Sequence, residues 1–181
     1  MKGEVFKIFK IFYLIYFYTS EIMKKLFIIL LLVLQNIVLS NTIPNVWTSS
    51  FANGGIMEYF ISNSRGQTLY VSCSEGTPYF GNHVSFTGSN GKEYDESKFS
   101  LLIDGNAYYL PDLDKEFYTR NEENLWVNFR EAISKGKKIE VYMNNRSVAR
   151  FTPTLASIRE HISGMYDCPS KPEKLQEYNN W

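Results

Sequence analysis

The sequence predicts a mainly β, α+β fold, an antiparallel β-sandwich or barrel-like core with two helices in the C-terminal half. Three observations predict it. Alternating aromatic and β-branched runs recur between residues 57 and 110. Turn pairs such as Asp104-Gly105 and Asn144-Asn145 separate runs of this kind. The apolar period changes from two to about 3.6 only after residue 121. With 181 residues, 44% of them hydrophobic and 21% charged, the chain has the size and balance of one globular domain with tails.

The strands come first. Residues 57–63 and 67–74 alternate, and Ser64-Arg65-Gly66 joins them into a hairpin. Residues 83–87 form a further short strand closed by Gly88-Ser89-Asn90-Gly91. Residues 99–103 and 106–110 flank Asp104-Gly105, two residues that tolerate the positive φ of a tight hairpin turn, and Pro111 stops the second arm. The helical segment follows. Asn121 is placed to cap a helix with Glu122 and Glu123 in its first turn, Trp126, Phe129 and Ile133 on its apolar face, and Gly136 as terminator. Residues 138–143 and 147–151 make another hairpin across Asn144-Asn145. Thr152-Pro153 then reads as the cap and first position of a second helix with Leu155, Ile158 and Ile162 on one stripe, ending at Gly164. From 169 to 181 the chain is polar and reads as a disordered tail.

Before these elements the composition differs. Met23-Lys24-Lys25 is a basic start, residues 26–34 are continuously apolar, and Val38-Leu39-Ser40 closes a more polar run, which is the layout of a secretory signal peptide cleaved after Ser40. Residues 1–22 then read as a mis-assigned upstream start, and 41–168 as a single exported β-rich domain. A membrane anchor needs about 20 apolar residues, and Gln35 and Asn36 interrupt a shorter run here. The first 40 residues hold five Lys and two Glu, so 14 basic and 17 acidic residues remain, a net of −3. The basic residues are scattered, and the densest group, Lys135 with Lys137 and Lys138, flanks the expected helix end, where positive charge complements the dipole. No nucleic-acid partner is expected.

An exported chain meets an oxidising compartment, where Cys73 and Cys168 have one possible pairing. Cys73 ends the alternation Leu69, Val71, Cys73, so the bond ties a core strand to the C-terminal end of the fold. The spacing fits neither a redox motif nor a zinc site.

Catalytic signatures are absent: there is no Gly-x-Ser-x-Gly, no His-Glu-x-x-His and no phosphate-cradling glycine loop. His83 and His161 are the only histidines, and neither has a sequence neighbour that orients it. Asp112, Asp114 and Glu116 alternate as in a calcium loop but lack its glycine and distal glutamate, which favours a solvated acidic turn. Asn145-Arg146-Ser147 is a glycosylation sequon at a hairpin tip, where Asn is wanted for its backbone conformation in any case. The remaining signal is aromatic density, with 13 Tyr, 13 Phe and three Trp. Tyr70, Tyr108 and Tyr142 alternate with apolar neighbours. They therefore point away from the main core face, either as a binding surface or as a second core face beneath the helices.

In Leu102-Ile103-Asp104-Gly105, the helix 125–135, and Ile139-Glu140-Val141-Tyr142 leading to Ala149-Arg150-Phe151, together with the aromatic strand at Trp47, the chain resembles the invasion-associated locus B family over most of residues 46–168. Members of that family commonly carry more cysteines near the N-terminal strands, and this chain departs from that. The resemblance implies a periplasmic or cell-surface accessory protein, a β-sandwich or barrel-like core with helices against it, and no known chemistry.

The functional expectation is a non-enzymatic accessory or binding protein of a bacterium, periplasmic or secreted, acting through protein–protein contacts at the cell envelope. Tyr70, Tyr108 and Tyr142 are its candidate binding surface and Cys73 with Cys168 its disulfide. No cofactor and no metal are expected, and the membrane is met only through the signal segment before cleavage. An inhibitor or immunity protein for an envelope-acting toxin is one form of this reading. The alternative is a small secreted hydrolase whose site is assembled from separated residues.

Overall fold

The computed structural model describes residues 43–74, 81–113, 115 and 117–179, with Lys25 before them. The chain divides between residues 41 and 42 into two units, and everything described except Lys25 lies in the second. Most of the signal-like stretch, the last two residues, Asp114 and Glu116 lie outside the described residues.

Two antiparallel sheets carry the fold. The first has five strands in sequence order, β1 (Trp47–Ala52), β2 (Ile56–Ser62), β3 (Thr68–Ser74), β4 (His83–Thr87) and β5 (Glu93–Asp95). The second has the order β7-β6-β8-β9, from β6 (Ser100–Ile103), β7 (Asn106–Tyr108), β8 (Ile139–Met143) and β9 (Arg146–Phe151). Simple alternation aims one side of each strand inward. Leu69, Val71, Val84 and Phe86 of the first sheet and Leu101, Ile103, Ile139, Val141 and Phe151 of the second belong to one buried core. The β2–β3 turn also reaches the second sheet, where Gln67 donates from its amide to the Val148 carbonyl of β9 at 2.9 Å. The tight turns are those expected: Asp104 and Gly105 have φ of 49° and 88°, and Asn144 and Asn145 have 48° and 60°.

Helix α1 (Arg120–Ile133) covers this core with Trp126, Phe129 and Ile133, all fully buried. Its cap is Thr119 and not Asn121, because Thr119 and Glu122 form a reciprocal capping box that occupies two orphan donors. Lys115 pairs with the same Glu122, and this contact with the Thr119 hydrogen bonds holds the Glu122 carboxyl down at about 2. Gly136 follows the helix where a Cβ would meet Ile103 Cγ2 at 2.6 Å, so close approach excludes a side chain there.

The second helical region departs from expectation. Thr154, not Thr152, caps α2 (Leu155–Ser157), which runs into a π turn at Ile158–Ile162 and a 3-10 turn at Ser163–Asp167. Leu155 is 54% exposed while Ile158 and Ile162 are buried, so the expected stripe loses its first member.

Cys73 and Cys168 form the expected disulfide, both sulfurs being in the core. Beyond it the expected disordered tail is instead helix α3 (Lys171–Asn179). Its order comes from polar contacts that an apolar pattern does not reveal. Ser170 and Glu173 cap the helix reciprocally, and the Ser170 hydroxyl also donates to Glu123 of α1 at 2.7 Å. Arg130 reaches both the Cys168 carbonyl and the Glu173 carboxylate. Lys174 donates to the Ser74 carbonyl at 2.9 Å, and burial pulls its ammonium down to about 8.

Candidate functional site

The outward side of the five-stranded sheet is set by register. Facing residues run Ser50, Glu58, Ser72, His83 in one row, then Thr48, Phe60, Tyr70, Ser85, Asp95, then Ser62, Thr68, Thr87, Glu93. Phe60 lies directly across from Tyr70 with ring centroids 4.9 Å apart, and His83 lies diagonally at 5.8 Å. Three strands therefore contribute one ring each to a continuous strip.

Carboxylates flank the strip. The Tyr70 hydroxyl donates to Glu58 Oε1 at 3.0 Å, while Ser50 donates to Glu58 Oε2 at 2.9 Å. On the other side Ser85 donates to Glu93 Oε1 at 2.6 Å. Ser72 and Ser85 are buried beneath the rings although they face outward. Burial pushes the Tyr70 phenol above its ordinary value; a Ser72 hydrogen bond opposes this, and Glu58 and Glu93 add to it. Tyr70 is thus a neutral donor fixed in position by its neighbours. His83, Glu93, Thr48 and Ser50 are exposed. The substantial packing of these strands on described helical elements is confined to β1 with the π turn and to β4 and β5 with the 3-10 turn Glu96–Lys98.

The three tyrosines singled out by sequence are not brought together. Tyr108 sits across from Leu101 and packs against the core, which corrects its expected outward placement. Its neighbour Tyr109 is exposed and joins Leu125, Glu131 and Lys135 around a cavity of about 350 Å³ between β7 and α1. Tyr142 does face outward, half-buried between Ser100 and Ser147 on the second sheet. Of the three, Tyr70 alone has ring partners among the described residues. Phe60, Glu58, Ser85 and Glu93 were missed, although the hairpin turn at residues 64–66 already fixes Phe60 opposite Tyr70. Glu93 carried no comparable signal, since β5 has only three residues.

The histidines part company too. His161 in the π turn meets the Ser49 hydroxyl through Nδ1 at 3.1 Å, and its Nε2 lies 4.0 Å from the Glu160 carboxylate, which is largely exposed. This is the nearest approach to a hydroxyl, imidazole and carboxylate set built on His161. A further polar cavity of about 420 Å³ lies where the sheets adjoin, with Asn63, Arg65, Gln67 and Arg150 around it. Among the described residues no group of three or more His, Cys, Asp or Glu is placed to hold a metal ion. No described helix is long and apolar enough to cross a membrane.

Comparison with known proteins gives a family and no chemistry. The family model described as YfjT matches residues 45–162, so the chain belongs to the YfjT family. Uncharacterized protein YfjT of Escherichia coli (strain K12) is 22% identical over 136 residues, which is 71% of this chain and 85% of that protein. The match covers every strand and α1, and it stops before Cys168 and α3. No solved structure matches. Neither match is to the invasion-associated locus B family, so that resemblance stays one of element order.

Proposed function

We propose that this YfjT-family chain is an exported binding module that captures another envelope or secreted protein on the outer face of its five-stranded sheet. The observation that carries the reading is the Phe60–Tyr70–His83 strip, three rings held side by side on an open sheet face, where a solvated face needs only polar side chains. Tyrosine offers large apolar area with a polar tip and few rotatable bonds, which suits it to anchor an interface. The core disulfide supports a periplasmic or secreted location, because such bonds persist in oxidising compartments. Residues 23–40 would then be the signal, and 41–181 the working protein. An accessory role or inhibition of an envelope-acting toxin both fit.

The test is capture in living cells. A photo-crosslinkable residue at Thr48, beside the strip, should trap a defined partner, and Tyr70→Ser should weaken that capture by about 1–3 kcal/mol while leaving the melting temperature near wild type. Equal capture by a normally folded Tyr70→Ser protein refutes the proposal.

A second reading, a small hydrolase, is favoured by one contact, Ser49 with His161. A nucleophilic serine there would react with a fluorophosphonate probe, and His161→Gln would abolish labelling. The binding reading expects no labelling, and expects His161→Gln, which lies outside the strip, to retain biological activity.

A further inference from the structure

The open sheet face also says what kind of partner fits it. Its outward strand positions carry Glu58, Glu93 and Asp95, and not one Lys or Arg. Asp95 spends its carboxylate on Ser97, as the cap of a 3-10 turn. Among the described residues Glu58 and Glu93 accept from hydroxyls alone, on either side of the rings. Hydroxyl donors satisfy some lone pairs of a carboxylate and leave its charge whole.

We infer that the partner presents arginine side chains to this face, laid over the Phe60–Tyr70–His83 strip and paired with Glu58 and Glu93. This deepens the binding proposal above and rests on it. Guanidinium is the side chain that uses both features at once: its plane stacks on aromatic rings while its edge makes paired hydrogen bonds to a carboxylate. It is also weakly hydrated, so it gives up water at less cost than an ammonium. The rest of the chain agrees in sign, since residues 41–181 are net −3 and would attract a basic segment over a distance of about one Debye length, ~8 Å at physiological salt. The outer face of the other sheet offers no such vacancy of charge, because Glu140 is clamped between Lys138 and Arg150.

The experiment titrates the isotopically labelled full chain with a blocked peptide of alternating glycine and arginine, and with its glycine–glutamate counterpart, following backbone amide shifts. The expected result is a coherent shift at Glu58, Phe60, Tyr70, Ser72 and His83 with the arginine peptide alone. Its dissociation constant should rise at least ~10-fold in Glu58→Gln/Glu93→Gln, and less than ~2-fold in Glu131→Gln/Glu177→Gln, which removes equal charge elsewhere. Shifts scattered over the surface, equal weakening in both double variants, or equal binding of the glutamate peptide would each overturn the inference. The crosslinking assay separates the two claims. If Tyr70→Ser loses the cellular partner while Glu58→Gln/Glu93→Gln keeps it, the binding face stands and its arginine preference falls.

Discussion

Each sheet turns one face away from the shared core, and the two faces settle their charge differently. On the four-stranded sheet Glu140 is nearly buried and accepts from Arg150 at 2.7 Å across the strand pair and from Lys138 at 2.8 Å on its own strand's approach. Those cations hold its carboxyl below the ordinary range. On the five-stranded sheet Glu58 and Glu93 meet, among the described residues, hydroxyls only, and aromatic rings stand between them. A carboxylate neutralised within its own sheet has finished its work in the fold. One left to hydroxyls keeps a field directed outward, and the proposed binding face rests on this difference.

That comparison assumes that both faces are carried by one rigid core, and the largest effects come from breaking it. Cys73 lies in β3, the central strand of the five-stranded sheet, and closes a loop of 95 residues to Cys168. Cys73→Ser should cost about 4–5 kcal/mol in the chain-entropy account, seen as a lowered unfolding midpoint that reductant reproduces in the wild type. Unchanged melting in both would detach the C-terminal segment from the stability of the sheet. Next in size is the helix beneath. Phe129 is fully buried, so Phe129→Ala should cost about 3–5 kcal/mol, whereas the exposed Glu131→Ala should lie within about 0.5 kcal/mol of wild type. Equal costs would mean that α1 does not seat the sheets as its burial indicates.

Why these elements could be read from sequence, and others not, follows from range. The hairpins of β2 with β3, β6 with β7 and β8 with β9 are local, and positive-φ residues such as Asp104 and Asn145 announce their turns. Helix α1 announces itself by period and acidic first turn, and its cap was misplaced by two residues because the Thr119–Glu122 box outcompetes Asn121. What stayed hidden depends on distant partners. Helix α3 is weakly patterned and is held by Ser74, Glu123 and Arg130, residues 43 to 100 positions away. The aromatic strip is half legible: Tyr70 stands out as one of many tyrosines, but its selection over Tyr108 needs the sheet order, which puts Tyr108 against the core.

Tyr70 and Tyr142 sharpen the comparison of the faces directly. Both are half-buried and outward, and among the described residues only Tyr70 of the two meets other rings, beside open carboxylates. Tyr70→Ser should weaken partner capture by about 1–3 kcal/mol, while Tyr142→Ser leaves capture within about 0.5 kcal/mol of wild type. Thermal melts of both variants separate a binding loss from unfolding. Capture lost through Tyr142 alone would move the interface to the four-stranded sheet.

The smallest predicted effect concerns acid. Because Lys138 and Arg150 depress the folded-state pKa of Glu140 below its unfolded value, the unfolded chain takes up the proton first as pH falls. The resulting contribution to stability is complete above the ordinary carboxylate range near pH 4.5 and is lost as pH drops through the folded value. Glu140→Gln removes that titration while nearly preserving shape, so its unfolding midpoint should fall less steeply than the wild type's below about pH 4.5. Glu122, which is also depressed, titrates in both proteins and cancels in the difference. If Glu140→Gln and the wild type superimpose across the acid range, Lys138 and Arg150 do not hold this carboxylate in the way their pairing indicates.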